Sequence, residues 1–372
     1  MLNFFKSISE LLKLANIDLK YRKYIFFSEG KFYTDHFIDI LENLNKLSGK
    51  EYIHYITLDK FDHHKLSKNA NVYVINNNFL VRLLFKIIKC ENFIMTMSDL
   101  GNHLEKSKNC KNFVYFFHAA SSIFRRYTKN AFKNYDIIFA NGEYQKKELI
   151  YEEKKFKLPK KKIITTGYFF LDRLKKISSK NTSVINCILF APSWNYSEKN
   201  LFDNYSIKII DHLLINNLKV IVRPHPEHFK RSQNVVNEIK MKFSHNENFV
   251  LDTNYSNLNS MEKAQILITD NSAIDIEYML VFKRPVIYLD YVDKVHNNSE
   301  SFNELKTIED EFKMSFGEIL NIENLSYLSE FCLSVKKKNI DTDKIRKFEK
   351  KFFTGLGKSA STAAYYLQKN FN

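Results

Sequence analysis

The chain has 372 residues, enough for two domains that each bury a core, and its 44% hydrophobic and 27% charged residues predict a soluble globular protein. No run approaches the ~20 apolar residues of a membrane-spanning helix, and the scattered cysteines Cys90, Cys110, Cys187 and Cys332 form no C-x-x-C pair, so a reducing compartment and no zinc cluster are expected. The net charge of +15 implies an anionic partner (a nucleotide, a phosphate-bearing acceptor, a lipid surface or a nucleic acid), although a chain so rich in Lys, Asn, Ile and Phe also fits an AT-rich genome.

Residues 1–14 place apolar side chains at Leu2, Phe4, Phe5, Ile8, Leu11, Leu12 and Leu14, interrupted by Lys6, Glu10 and Lys13, with no signal-peptide cleavage pattern. This predicts an amphipathic helix that packs on its own domain, although the same pattern permits it to lie on a bilayer. Short apolar runs then alternate with helix-like stretches, the pattern of α/β folds with parallel sheets. Strands are predicted over 24–27, 52–58, 72–75, 93–97, 113–117, 137–139 and 163–166. The lysine-dense connector 154–162 reads as solvated, with a docking patch for anions as the alternative. The charged segment 172–186 marks a break, and strands resume over 187–190, 219–222, 249–251, 266–269 and 286–289. Two Rossmann-like domains, 1–175 and 176–372, are therefore expected, with a cleft between them. Helices over 341–371, interrupted at Gly355-Leu356-Gly357, are expected to end the chain and to be able to pack back on the first domain.

Ligands of open α/β sheets bind beyond the carboxyl ends of strands, and several predicted strands run into polar turns there. Strand 219–222 meets Arg223-Pro224-His225-Pro226, and strand 266–269 meets Asp270-Asn271-Ser272. A guanidinium, an imidazole fixed between prolines and a serine at a helix start suit a diphosphate. Asp270, Asn271 and Ser272 are equally ordinary helix caps. Glu277 follows in the presumed helix, either to accept from ribose hydroxyls or to sit on a solvated face. Ser193, in Ala191-Pro192-Ser193-Trp194, offers a further donor to phosphate, and Trp194 is either core or a lid. In the first half, strand 113–117 ends at His118, followed by Ala119, Ala120, Ser121 and Ser122. A histidine there is either structural or a general base, because its ordinary pKa lies near neutrality. No P-loop, G-x-G-x-x-G or H-E-x-x-H pattern is present, which argues against a kinase, a nicotinamide dehydrogenase and a zinc hydrolase.

Taken in order, these pieces resemble the CDP-glycerol:poly(glycerophosphate) glycerophosphotransferase family, which builds teichoic acids and related capsule polymers. Phe27-Ser28-Glu29-Gly30-Lys31-Phe32-Tyr33 is similar to the family's F-E-S-x-x-G-K-x-Y, and Phe117-His118-Ala119 to W-H-G. Thr166-Gly167-Tyr168-Phe169-Phe170-Leu171-Asp172 resembles T-G-Y-P-R-x-D, Ala191-Pro192-Ser193-Trp194 resembles A-P-T-W, and Arg223 to Pro226 keep R-P-H-P. Thr269-Asp270-Asn271-Ser272-Ala273 with Glu277 resembles T-D-Y-S-S followed by an acid. The chain departs from the pattern at Ala119, at Phe169-Phe170, and in lacking a lysine after the His118 motif.

The resemblance implies a GT-B-like α/β fold, with a donor nucleotide held mainly by the second half and a peripheral position on the inner face of the cell membrane. It assigns His118 as the acceptor-activating base and Arg223, His225 and Ser272 as the diphosphate clamp. His225 is thus both a donor-binding and a candidate catalytic residue. Ser193, Asp270, Asn271 and Glu277 complete the donor side, and Glu29, Gly30, Ser121 and Ser122 stand on the acceptor side. The reading is transfer of a polyol phosphate from a CDP-activated donor to a glycan or lipid-linked acceptor at an anionic membrane surface. No nucleic acid and no metal site are expected, and no resident cofactor is implied beyond a divalent cation such as Mg2+ accompanying the donor. The alternatives are a GT-B glycosyltransferase using a nucleotide sugar and, more remotely, a nonenzymatic binder of anionic polymers.

Overall fold

The computed structural model describes residues 2–102, 104–178, 187–195, 199–270, 272–292 and 306–370. The chain divides into two compact units, one of Met1–Arg173 with Phe352–Asn372 and one of Leu174–Lys351.

The first unit is built on a parallel sheet of β1 (Tyr24–Ser28), β2 (Ile53–Thr57), β3 (Asn71–Val74), β4 (Cys90–Met95), β5 (Cys110–Phe116), β6 (Ile137–Ala140) and β7 (Lys162–Thr165), in the order β3-β2-β1-β4-β5-β6-β7. Every residue of β1 and β2 is buried, as parallel strands covered on both faces must be. The covering helices are α1 (Leu2–Ala15), α2 (Thr34–Ser48), α3 (Phe61–Leu66), α4 (Asn78–Ile87), α5 (Ile123–Arg126) and α6 (Glu143–Lys155). Phe37 of α2 meets Phe26, Tyr55 and Phe116 edge-on at centroid distances of 6.1, 5.3 and 5.1 Å, a favoured geometry for ring pairs. The connector after α6 is not wholly solvated. Lys161 is buried beside Glu153 at 3.6 Å, and burial lowers its pKa.

The second unit carries β8 (Cys187–Phe190), β9 (Lys219–Val222), β10 (Phe249–Leu251), β11 (Ala264–Thr269), β12 (Val286–Asp290) and β13 (Gly317–Asn321), parallel in the order β10-β9-β8-β11-β12-β13. Helix α7 (Phe169–Ser178) brings the chain into this unit. Within it follow α8 (Leu201–Ile215), α9 (His228–Arg231), α10 (Gln233–Phe243), α11 (Leu258–Lys263), α12 (Ile274–Phe282), α13 (Ile308–Phe316) and α14 (Leu328–Lys336). Helix α15 (Thr342–Phe352) returns the chain to the first unit, where α16 (Ser359–Asn370) sets Ala360, Ala363, Ala364 and Leu367 into the core formed with Phe37, Ile40, Leu41 and Leu44 of α2. Asp172 fixes the start of α16 by accepting from the amides of Gly357 (2.6 Å) and Ser359 (3.0 Å), a favourable place for an anion.

Helix α1 is amphipathic in an unexpected sense. Phe4, Phe5 and Leu12 are exposed, Phe5 by 63% and Leu12 by 58%, while Ser7 and Leu14 are buried. Beside it, α4 exposes Phe79, Leu83 and Ile87, spaced four apart and so on one stripe. The expectation that α1 turns its apolar face onto its own domain therefore fails for these side chains.

Candidate active site

In each sheet the strand order reverses once, between β1 and β4 and between β8 and β11, and such switch points open the crevice where α/β folds bind ligands. The candidate residues follow strand ends at or near these points, in each unit separately.

In the first unit Glu29 and Gly30 follow β1, with Glu29 exposed and Gly30 buried. Gly30 adopts φ +126°, and a Cβ there would approach Asp59 Cβ to 3.3 Å, so the turn needs a glycine. His118 follows β5, beside the switch point, and its backbone is held tightly. Its carbonyl accepts from Tyr168 Oη at 3.1 Å, and the next carbonyl, Ala119 O, accepts from Asn141 Nδ2 at 2.9 Å. Gln145 ties the same segment down, donating to Ser121 O and accepting from the Asn141 amide, both at 2.8 Å. The His118 ring meets Tyr33 edge-on at 5.4 Å and His36 at 6.0 Å.

Burial lowers the His118 pKa to about 4; a bond to the Thr96 backbone opposes the shift and the nearby Arg126 reinforces it. The ring is therefore neutral at pH 7. Its Nδ1 is shielded and makes no hydrogen bond. His36 is neutral too, driven well below its ordinary pKa by burial and then by His118 and Arg173.

Ser121 and Ser122 need correction. Both are wholly buried, and the Ser122 hydroxyl accepts from the Phe124 amide at 3.2 Å as the cap of α5. Neither hydroxyl faces a substrate in this conformation. Arg126, which bears on His118, and the His36 ring were not singled out in the sequence, although Arg125-Arg126 is the first basic pair after the histidine motif.

In the second unit Ser193 and Asp270 bridge the switch point. The Ser193 amide donates to Asp270 Oδ1 at 2.7 Å and its hydroxyl to Oδ2 at 2.8 Å, and Thr269 Oγ1 donates to Ala191 O at 2.7 Å. Ser193 and Asp270 are thus satisfied by each other, and they shape the turn without presenting free groups to a donor. The Arg223 guanidinium, assigned from sequence to a diphosphate, is turned onto its own unit. It donates to Asp252 Oδ2 at 2.5 Å, Asn254 O at 2.9 Å and Tyr255 O at 3.3 Å. Burial pushes Asp252 up, but Arg223, Ser260 and the Asn254 amide outweigh it and hold the carboxyl below its ordinary pKa. Asp252 follows β10, so the same strand-end logic that singled out Arg223 would have found it.

His225 is partly exposed. Its Nδ1 accepts from the Glu227 amide at 3.2 Å, so a neutral ring carries its proton on Nε2 and is a donor there. Trp194 stacks nearly parallel to it, 22° apart with centroids at 6.3 Å, and the Arg231 guanidinium lies over Trp194 at 5.2 Å. Ser272 is partly exposed just before α12, whose cap position, Ala273, offers no side-chain acceptor. Glu277 is buried on α12, which rules out a solvated face. Asn271 lies outside the described residues. Among the described residues no His, Cys, Asp or Glu cluster is arranged to hold a metal ion.

Residues 18–363 match the family described as CDP-glycerol:poly(glycerophosphate) glycerophosphotransferase. The chain belongs to that family. It is accordingly a glycerophosphotransferase-like enzyme. No curated protein matches it. Among solved structures it is similar to the wall teichoic acid polymerase TagF, at 15% identity and TM-score 0.60 over 99% of this chain and 97% of that one. A TagF histidine variant soaked with CDPG matches at 16% identity and TM-score 0.62, over 98% and 93%. The UDP-GlcNAc 2-epimerase of Methanocaldococcus jannaschii matches at 15% identity and TM-score 0.59, over 93% and 99%. At such identities the likeness concerns the fold, and this glycerophosphotransferase relative has the GT-B-like α/β fold with sheets of seven and six parallel strands.

Proposed function

We propose that the enzyme moves a polyol phosphate, such as glycerol phosphate, from a CDP-activated donor to a hydroxyl of a cell-surface glycan or lipid-linked acceptor, as in teichoic acid or capsule synthesis. The observation that carries the mechanism is His118, neutral at pH 7 at the carboxyl end of β5. The acceptor hydroxyl gives its proton to the His118 imidazole while its oxygen bonds to the distal phosphorus. The bond from that phosphorus to the CMP oxygen breaks, and CMP leaves with the electron pair. Such transfer relies on positioning and charge stabilisation more than on covalent work by the protein.

In this reading the first unit, which includes residues 352–372, forms the acceptor side and the second unit the donor side. His225 donates from Nε2 to the diphosphate, Ser272 just before α12 is a further donor to it, and Glu277 supports that turn. Arg223 is a positioning residue that acts through Asp252, and Ser193 with Asp270 shapes the neighbouring turn. Glu29 and Gly30 border the acceptor. Assaying CMP release and product mass with CDP-, CMP- and UDP-activated donors tests the proposal. CMP release with a phosphodiester product supports it, whereas UDP release with a glycoside product replaces it by glycosyl transfer.

The same proposal places the enzyme peripherally on the cytoplasmic face of the membrane. No helix among the described residues is long and apolar enough to cross a membrane. The outward apolar side chains of α1 and α4, flanked by Lys6, Lys13, Arg82 and Lys86, support an interfacial position.

A further inference from the structure

A groove of about 820 Å³ runs along the outer edge of the first sheet, between α1 and α3 with the edge strand β3 as its floor. Helix α1 lines it with Asn3, Lys6, Ser7, Glu10 and Lys13, a single stripe at helical spacing that extends ~15 Å at 1.5 Å per residue. Lys60, His63, His64 and Ser67 line the other wall. The one lining carboxylate, Glu10, is paired with Lys13 at 2.6 Å. Among the described residues no carboxylate pairs with Lys6, Lys50 or Lys60.

Two further features decide what such a groove takes. Lys50 precedes β2 and Lys60 follows it, so cations stand at both ends, roughly 16 Å apart at ~3.3 Å per residue. One phosphate cannot engage both. The lining holds no Phe or Trp and its one Tyr, Tyr73, is buried; the exposed rings there are the imidazoles of His63 and His64, so the groove recognises phosphate charge more than nucleobases. We propose that this groove binds an extended phosphodiester polyanion, distinct from the nucleotide donor. Identifying that polyanion with the growing polyol-phosphate polymer rests on the transfer reading above; the binding itself does not.

Binding of linear polyphosphate to the full chain, followed by calorimetry across a salt series, tests this without any catalytic step. Lys50→Gln/Lys60→Gln is expected to weaken binding tenfold or more. It should also flatten the slope of log K against log salt by about 1.4, two contacts at ~0.7 each for a flexible polyanion. The exposed pair Lys240→Gln/Lys347→Gln, in the other unit, should change affinity less than twofold. Phosphatidylglycerol vesicles separate the sources, since the groove variant should lose less than twofold there. Equal weakening by both lysine pairs, no weakening by the groove pair, or a loss confined to vesicles overturns the proposal. The absence of any transferase activity would instead remove only the identification with the polymer.

Discussion

At the scale of single residues, the chemistry depends on which groups the fold leaves available. His118→Ala should abolish turnover while nucleotide binding stays near normal, because a base acts in the transition state and adds little to donor affinity. Single-turnover assays with calorimetry separate the two, and near-normal turnover would return His118 to a structural role. The histidine also has a stability signature. Its folded pKa is lowered to about 4 from the ordinary 6.5, so below pH 6.5 the unfolded chain binds a proton that the folded chain refuses. Stability is therefore lost as pH falls from about 6.5 toward 4. Asp62, raised by burial to about 6 against its bond from Thr57, acts with the opposite sign, since its contribution is lost as pH rises from 3.8 to 6. Comparing urea midpoints of parent and His118→Ala isolates the histidine, and the variant should lose less stability on acidification. Arg223→Ala should destabilise the fold by about 3 kcal/mol, because it leaves the buried Asp252 carboxylate unpaired. Adding Asp252→Asn should recover part of that loss, a coupling of roughly 1–3 kcal/mol in a double-mutant cycle. Additive losses would mean that the pair contributes nothing.

Elements show what was legible in the sequence and what was not. Strands such as β1, β5 and β9 stand out because parallel strands covered on both faces are unbroken apolar runs. Strand β13, Gly-Glu-Ile-Leu-Asn, escaped because it is an edge strand with a single buried residue. The strand-end positions of His118, His225 and Ser272 were legible, since chain order and a terminal polar turn suffice to place them. Their partners were not: Asp252 lies 29 residues from Arg223 and Asp270 lies 77 from Ser193, separations that only the folded sheet closes. Nor does amphipathic spacing say which face of a helix is covered, so the exposure of Phe4, Phe5 and Leu12 on α1 was not legible. The glycine before α7 makes a testable point about the C-terminal element. Gly167 adopts φ +97°, and a Cβ would come within 2.3 Å of Thr354 O and Ser359 Oγ. Gly167→Ala should therefore cost at least ~2 kcal/mol through left-handed strain and overpacking. It should also loosen α16 from α2, seen as faster proteolysis after residue 352; unchanged cleavage and melting would show that the segment yields without penalty.

At the scale of the whole molecule, the +15 charge and the outward apolar side chains bear on one property, attachment to an anionic bilayer. The two contributions respond differently to conditions. Attraction of basic residues to headgroups is worth about 1 kcal/mol per well-placed Lys or Arg and is screened by salt. Burial of a large apolar side chain contributes ~1.5–3 kcal/mol and is not screened. Co-sedimentation with neutral and anionic vesicles at low and high ionic strength should therefore give most binding to anionic vesicles at low salt and a smaller residue at high salt. Phe5→Glu/Leu12→Glu, which changes side chains already exposed and so spares the core, should reduce binding at least tenfold at either ionic strength. A response to salt with no response to these substitutions would assign the attraction to charge alone and leave α1 and α4 without an interfacial role. Equal recovery of the parent chain in the soluble fraction under all four conditions would remove the membrane from the proposal. The charge would then bear only on the donor, the acceptor and the polyanion groove.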